Sequence, residues 1–370
     1  MDRFTMRGFD YTKFQSMRIR SEDDIMAGWK GDPARPMVSV VCTSYNHEAY
    51  IEDAIKGFLI QKTDFPFEVI IHDDASTDKT AQKIRVFQEQ YPTIIRCIYQ
   101  KENQYSKGKK PLLDTFRISY GKYIAICQGD DFWISENKLQ MQYEAMIERP
   151  EMNICIHSAY AETNEIERTY TDFGYVSDVA SVLPAAQVIR GRGGFCATAS
   201  IMISSDFAKR LPPWLEQAPV LDLFIQGLGA FDSGALYIPD LVCVYRLRTA
   251  SSFTNRMAAT YVSRAWLDSY EVTLKNFDRE TAGLYPDHIA LQAAVVYHKG
   301  AISSVRFGKK NDFVERIVKS FQYYPNLNAI QMFLYRFRRS FNAVTFLYRI
   351  CKSVKLFQLY SGFGTKRLRT

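Results

Sequence analysis

No Cys-x-x-Cys spacing occurs in this 370-residue chain, and its seven cysteines stand singly. Cys42, Cys127 and Cys155 lie inside apolar runs, as reduced and buried thiols do. That pattern excludes a disulfide framework and points to a cytoplasmic protein. No run approaches the ~20 apolar residues that span a bilayer. The first twenty residues carry Asp2, Arg3, Arg7, Asp10, Lys13, Arg18 and Arg20 without an apolar core, so no secretory signal is expected. Internal repeats and low-complexity tracts are also missing. Acidic residues are scarce in one region only. From Ala301 to Thr370 there are 14 Lys/Arg against 2 Asp/Glu, whereas the whole chain sums to +7, so the first 300 residues sum to −5. A basic tail on a mildly acidic body points to an anionic surface as the tail's partner. No nucleic-acid-binding motif accompanies the charge, so nucleic acid is not the expected partner.

What is present is an alternation of strands and helices. Residues 1–36 are a polar lead-in, with Ser21-Glu-Asp-Asp24 as a helix start and Pro33 and Pro36 near its end. Val38–Cys42 reads as the first strand, Tyr50–Gln61 as a helix, Phe67–Ile71 as the second strand, Thr80–Tyr91 as a helix and Ile94–Tyr99 as the third strand. A helix near Leu112–Tyr120 leads into the apolar strand Tyr123–Cys127. This spacing predicts an α/β fold, with a Rossmann-like, mixed and mainly parallel sheet flanked by helices. Tyr160–Gly193 is weakly patterned and reads as an excursion over a cleft. Leu236–Arg246 reads as one strand interrupted by Pro239. From residue 251 onward the pattern is helical, and its last helix is expected to run from Asn326 to Tyr360. The expected organisation is a lead-in at 1–36, a catalytic domain at 37–250 and a helical, basic appendage at 251–370.

In open sheets of this kind, ligands bind at the carboxyl ends of the strands. Three such ends carry polar clusters: Thr43–Glu48, Asp73–Asp78 and Gly129-Asp-Asp131. The last is placed by a buried strand and then pushed out of it. Two adjacent carboxylates there need water, a cation or a partner, because burying them unpaired costs several kcal/mol each. A divalent metal that in turn holds a diphosphate meets that need.

Four segments, in this order and spacing, resemble a known family: Val38-Ser-Val-Val-Cys-Thr-Ser-Tyr-Asn-His-Glu48, Ile70-Ile-His-Asp-Asp-Ala-Ser-Thr-Asp78, Gln128-Gly-Asp-Asp-Phe-Trp133 and Ala218-Pro-Val-Leu-Asp222. Together they resemble a bacterial family 2 glycosyltransferase with the A-type (GT-A) fold, over about residues 37–250. The resemblance implies a nucleotide-sugar donor and a Mg²⁺ or Mn²⁺ ion. Asp131 would ligate the metal, with Asp130 as a second ligand or a ribose contact. Thr43, Tyr45, Glu48, Asp73 and Asp74 would face the nucleotide, without a choice between the last two. Ser76 and Thr77 read mainly as caps of the following helix. His47 reads as structural, and Trp133 as packing either the donor sugar or the core.

Inverting transfer needs a base for the acceptor hydroxyl. The resemblance assigns it to Asp222, although Leu221 stands where the family usually has Gly and Leu223 where an aromatic is common. Tyr245-Arg-Leu-Arg248 resembles the family's Tyr-Arg-x-His segment, so Arg246 and Arg248 would approach the diphosphate. An Arg in place of the His can pair with phosphate but cannot ligate a metal. The implied activity is a metal-dependent, inverting transfer from a donor, UDP-linked, to a glycan or lipid-linked glycan of a bacterial surface polysaccharide. The implied location is cytoplasmic, at the inner face of the membrane through the basic tail. Two rivals are a nucleotidyltransferase of the same fold and a degenerate membrane-associated subunit. The first normally has a Gly-rich, Lys/Arg-bearing loop after the first strand, which Thr43-Ser-Tyr-Asn-His47 is not. The second is at odds with the intact acids.

Overall fold

The computed structural model describes residues 9–164, 168–247, 249, 257 and 259–353. The chain divides into two compact units, Met1–Arg256 and Met257–Thr370.

The first unit holds twelve strands among its described residues: β1 (Val38–Ser44), β2 (Phe67–Asp73), β3 (Ile95–Tyr99), β4 (Tyr123–Ile126), β5 (Phe132–Trp133), β6 (Ile154–His157), β7 (Ala159–Asn164), β8 (Thr169–Phe173), β9 (Ser181–Leu183), β10 (Met202–Ser204), β11 (Ala235–Ile238) and β12 (Cys243–Arg246). Its helices are α1 (Tyr11–Ser16), α2 (Glu22–Met26), α3 (Ile51–Leu59), α4 (Thr80–Gln90), α5 (Pro111–Arg117), α6 (Lys138–Glu148), α7 (Ala185–Gly191), α8 (Ser205–Lys209) and α9 (Asp222–Phe231). Eight strands form one sheet in the order β3-β2-β1-β4-β10-β6-β11-β9. The pairs among β3, β2, β1 and β4 are parallel, as is β6 with β11, while β10 and β9 run antiparallel to their neighbours. It is the mixed, mainly parallel sheet that the alternating pattern predicts.

Strands β1 and β2 are buried almost throughout, as strands covered on both faces must be. Their register pairs Ser44 with Asp73, and Val41 pairs with both Ile70 and Ile126. The carboxyl ends of β1, β2 and β4 therefore lie side by side, and the loops after them share one edge. Helix α3 presses on this region closely enough to require a glycine. A Cβ at Gly57 would lie 2.7 Å from the Trp133 carbonyl oxygen.

A second sheet, β5-β12-β7-β8, is a departure from the sequence reading. The segment 160–193 is not a bare excursion: it supplies β7, β8, β9 and α7. Likewise 236–246 is not one strand. The chain leaves β11 in the large sheet, passes Pro239, and enters β12 in the small one. Pro lacks the N–H that a continued ladder would need. Helix α1 lies on this small sheet, where Phe14 is buried with Phe132, Tyr160 and Val244.

The second unit contributes five described helices, Arg264–Glu280, Pro286–Arg306, Lys310–Tyr323, Ala329–Arg336 and Phe341–Ser353. The expected helix from Asn326 to Tyr360 is thus broken near 337–340, and the part beyond residue 353 lies outside the described residues. At the break Arg338 donates to the Tyr335 carbonyl at 2.7 Å and lies over its ring. Satisfying an end carbonyl in this way terminates a helix.

Candidate active site

The Asp130–Asp131 turn is held against the end of β1. Cys127 N–H donates to the Val41 carbonyl and Gly129 N–H to the Thr43 carbonyl, each at 3.0 Å. A Cβ at Gly129 would come within 2.8 Å of both His47 Nδ1 and Ser44 Oγ, so the approach needs a glycine. Asp131 is 2% exposed. Its Oδ1 accepts the Arg246 backbone N–H at 2.9 Å. Asp130 Oδ2 accepts the Thr249 hydroxyl at 3.0 Å and has His47 Nε2 at 3.9 Å. Burial raises the Asp131 carboxyl well above the ordinary carboxylate range, and the Asp130 charge raises it further. The Arg246 bond and charge act against that rise, and Asp222 adds to it. A site that penalises its own negative charge favours a cation.

Do these residues fit a metal? Among the described residues no group of three or more His, Cys, Asp or Glu side chains could hold one. A cation here would depend on the two acids, on water and on a ligand's oxygens. That donor set suits Mg²⁺ or Mn²⁺, which bind through one or two carboxylates and phosphate oxygens. It also agrees with the hydrogen bonding, because Asp131 Oδ2 and Asp130 Oδ1 have no hydrogen-bond partner among the described residues.

The other predicted residues fall into distinct places. Asp73 accepts from Ser76 twice, from N–H at 3.1 Å and from the hydroxyl at 2.5 Å. Asp74 accepts the N–H groups of Gln104 and Tyr105 at 2.7 and 3.0 Å. Both acids are buried and tie loops together. Glu48 is exposed, and its carboxylate accepts the Lys79 N–H at 2.9 Å while its own N–H donates to Asp78 at 3.0 Å. Thr43 and Tyr45 are partly buried on the same loop. Trp133 is core: it is fully buried, donates to the Ala199 carbonyl at 2.8 Å and packs edge-on to Phe58.

Asp222 opens α9 and is partly buried. Its Oδ1 accepts the Thr198 hydroxyl at 3.2 Å. Burial raises its carboxyl above the ordinary range, and the Thr198 bond opposes this. Thr198 belongs to the short turn Thr198–Ser200, whose Ala199 carbonyl also holds Trp133. One turn thus connects Asp222 to the residue two places after Asp131.

Arg246 departs from its expected place. Its side chain is 3% exposed and engages Asp53, Glu162 Oε2 at 3.1 Å and the Asp130 carbonyl at 3.0 Å. A guanidinium with those partners is enclosed by protein rather than open to a phosphate. Arg248 lies outside the described residues. The sequence reading missed Asp53, Glu162, Thr198 and Thr249. Asp53 left a faint signal, since Gly57 follows it one turn later on the same helix.

Comparison with known proteins places this geometry. Residues 39–208 match the profile described as "Glycosyl transferase family 2". The chain carries a glycosyl transferase family 2 domain. An uncharacterized protein of Mycobacterium bovis is 40% identical over 120 residues, covering 32% of this chain and 34% of that protein. The putative teichuronic acid biosynthesis glycosyltransferase TuaG of Bacillus subtilis is 36% identical over 124 residues, 34% of this chain and 45% of TuaG. The matches thus span less than half the length of these curated relatives. In fold, S. aureus TarS 1–349, solved in complex with UDP-GlcNAc, aligns with a TM-score of 0.57 at 15% identity, covering 86% of this chain and 91% of TarS 1–349. That likeness is one of fold, and it places the unit in the GT-A class that the resemblance implies. The family 2 domain contains both acid pairs, whereas Asp222 and Arg246 lie beyond the matched residues.

Proposed function

We propose that this chain is an inverting, metal-dependent glycosyltransferase that moves a sugar from a UDP-linked donor to a glycan of a bacterial surface polysaccharide. The observation that carries the reading is the acid turn at the end of β4. Among the described residues two of its carboxylate oxygens have no protein donor, and the charge of Asp222 bears on Asp131. Asp130 and Asp131 would hold Mg²⁺ or Mn²⁺, which when bound neutralises the departing diphosphate as a Lewis acid. Asp222 takes the proton of the acceptor hydroxyl. As that oxygen bonds to the anomeric carbon, the bond from carbon to the diphosphate oxygen breaks and the configuration inverts. Thr198 holds Asp222 in place for this. Thr43, Tyr45 and Glu48 line the nucleotide side, and Asp73 and Asp74 hold the loops beside it.

The relatives support the donor and acceptor classes. TarS 1–349 was solved with UDP-GlcNAc. A second matched relative, 33% identical over 112 residues, is the Escherichia coli UDP-Glc:alpha-D-GlcNAc-diphosphoundecaprenol beta-1,3-glucosyltransferase WfgD. A lipid-linked acceptor would bring this chain to the cytoplasmic face of a membrane. Among the described residues no helix is long and apolar enough to cross one. The helix Phe341–Ser353 exposes Phe346, Leu347 and Ile350, with Arg336, Arg339 and Arg349 nearby in the chain. Apolar exposure beside positive charge suits an anionic lipid surface.

The test is a thermal-shift screen of nucleotide sugars with and without Mn²⁺, followed by donor hydrolysis. A ligand of the folded state alone raises the melting midpoint by mass action. The proposal expects a UDP-sugar to raise it only when Mn²⁺ is present. Shifts by nucleoside triphosphates alone, with pyrophosphate release, would replace it with nucleotidyl transfer.

A further inference from the structure

We propose that Arg246, clamped between Asp53 and Glu162 and braced by the lead-in helix α1, is a positioning residue that sets the Asp130–Asp131 turn. The proposal rests on the reading of that turn as the donor's diphosphate site. It replaces the expected role of Arg246 as a direct phosphate contact.

One residue touches both acids. The backbone N–H of Arg246 donates to Asp131 Oδ1 at 2.9 Å, and its Nη1 donates to the Asp130 carbonyl at 3.0 Å. The rest of the guanidinium is anchored elsewhere. Nε donates to Glu162 Oε2 on β7 at 3.1 Å, and Nη2 pairs with Asp53 on α3. Three nitrogens therefore reach three acceptors on three parts of the unit, which the rigid fork of a guanidinium can do and a single ammonium cannot. The anchors are fixed in turn. Tyr11 OH and Gln15 Nε2, both on α1, donate to the two Asp53 oxygens at 2.8 and 2.7 Å. Arg168 and Tyr170 donate to Glu162 Oε1 at 3.2 and 3.1 Å. Two Arg therefore balance two carboxylates, and the donors and acceptors match. Helix α1 also packs at the turn itself, with the Phe14 ring 4.8 Å from that of Phe132, the residue after Asp131.

Tyr11, Gln15 and Arg246 all lie outside the residues matched to the family profile. The brace is thus supplied by the flanks of the domain to its acid turn. A buried ion pair is weak evidence for added stability but a reasonable device for fixing one geometry. Loss of a partner behind a metal ligand typically costs about tenfold to hundredfold in metal affinity.

The experiment uses the full chain and three variants: Arg246→Lys, Asp53→Asn and Tyr11→Phe. The first readout needs no ligand. Amide hydrogen exchange of the peptide spanning 127–133 should be faster in all three variants, with exchange in β2 unchanged. The second is calorimetric binding of UDP with Mn²⁺, expected to weaken about tenfold or more in Arg246→Lys and less in Tyr11→Phe. The third is kinetic: donor KM should rise and kcat fall while acceptor KM stays at the parent value. Parent-like exchange at 127–133 in folded Arg246→Lys overturns the proposal. So does weakened UDP binding in Arg246→Lys alone, with Asp53→Asn and Tyr11→Phe both unaffected, since that is what a direct phosphate contact gives. Where Arg246→Lys does not fold, Tyr11→Phe decides, because it removes one hydroxyl and no charge, and that hydroxyl bonds Asp53 and not Asp130 or Asp131. If Asp131→Asn keeps metal-dependent UDP binding, the site reading fails instead, and the exchange result still stands for or against the brace.

Discussion

Two pairs of adjacent aspartates close two parallel strands of the same sheet, and the protein treats them differently. After β2, Asp73 and Asp74 have four carboxylate oxygens, and each accepts a donor from the protein: two from Ser76, one from Gln104 and one from Tyr105. After β4, Asp131 accepts one N–H from Arg246 and Asp130 one hydroxyl from Thr249, with two oxygens left over among the described residues. The first pair is spent on loop architecture, and it fixes where the chain from 100 to 107 lies. The second has capacity for a cation and the charge to attract one. Identical sequence, Asp-Asp after an apolar strand, does not decide the role. The donors that arrive from elsewhere do.

The comparison is broken or sharpened most severely at Asp131. Asp131→Asn should lower turnover by about three orders of magnitude, since a cation at the leaving group supplies several kcal/mol and each ~1.4 kcal/mol is tenfold. It should also abolish Mn²⁺-dependent UDP binding in calorimetry. Turnover at the parent level would end the distinction between the two pairs. Asp222→Asn comes next, with kcat down about 10²–10⁴-fold, the range of a lost general base. UDP binding with Mn²⁺ should be retained there, which separates the acceptor side from the donor side. As the proposed base Asp222 would work ionised, and burial raises its carboxyl above the ordinary range. The groups that face it electrostatically are Asp131, the Cys196 thiol and the Thr198 hydroxyl. The parent's kcat/KM should therefore fall as pH drops through a value above the ordinary carboxylate range, and a pH profile checks this.

Why was one part of this legible in the sequence and the other not? Strands β1 to β4 were legible because their apolar runs are set by local burial. The ends of those strands, and so the loops that meet there, followed from the parallel order. Strands β8 and β9 were not, because both are largely exposed edge strands with little apolar pattern. Strand β7 finds its partner β12 some eighty residues away. The same distance problem separates the acid pairs. Asp74 is satisfied by residues 30 and 31 positions downstream, and Asp131 by Arg246, 115 positions downstream. No window on either Asp-Asp pair contains that information. Arg246 was misplaced for a related reason. Its segment resembles one that approaches phosphate, while its burial depends on Asp53 and Glu162, which nothing in that segment reveals.

The first pair makes the smaller predictions, and they concern stability rather than chemistry. In Asp74→Asn the amide oxygen can keep one of the two N–H donors, while its NH₂ faces the other. Leaving a buried donor unsatisfied costs about 1–3 kcal/mol. Chemical denaturation should show that loss, with faster hydrogen exchange in 100–107. Nucleotide affinity should change less than in Asp131→Asn. A variant of parent stability that no longer binds UDP would instead make Asp74 a nucleotide ligand and erase the contrast.

Ser76→Ala is the finest test. It deletes the hydroxyl that donates to Asp73 Oδ1 and accepts the Asn46 N–H, and it leaves the Ser76 N–H on Oδ2. Two hydrogen bonds of the ordinary kind are lost, so stability should fall by about 1–2 kcal/mol. It also gives Asp73 the open oxygen that distinguishes the second pair. If an open carboxylate oxygen at a strand end were sufficient to bind a cation, calorimetry with Mn²⁺ would find a second ion in this variant. None is expected, because Asp74 beside it still accepts on both oxygens, from Gln104 and Tyr105, whereas among the described residues Asp130 and Asp131 each keep an oxygen without a donor. A second bound ion would show that the number of open oxygens alone decides. A single ion with unchanged turnover would show that both acids of a pair must be left open together.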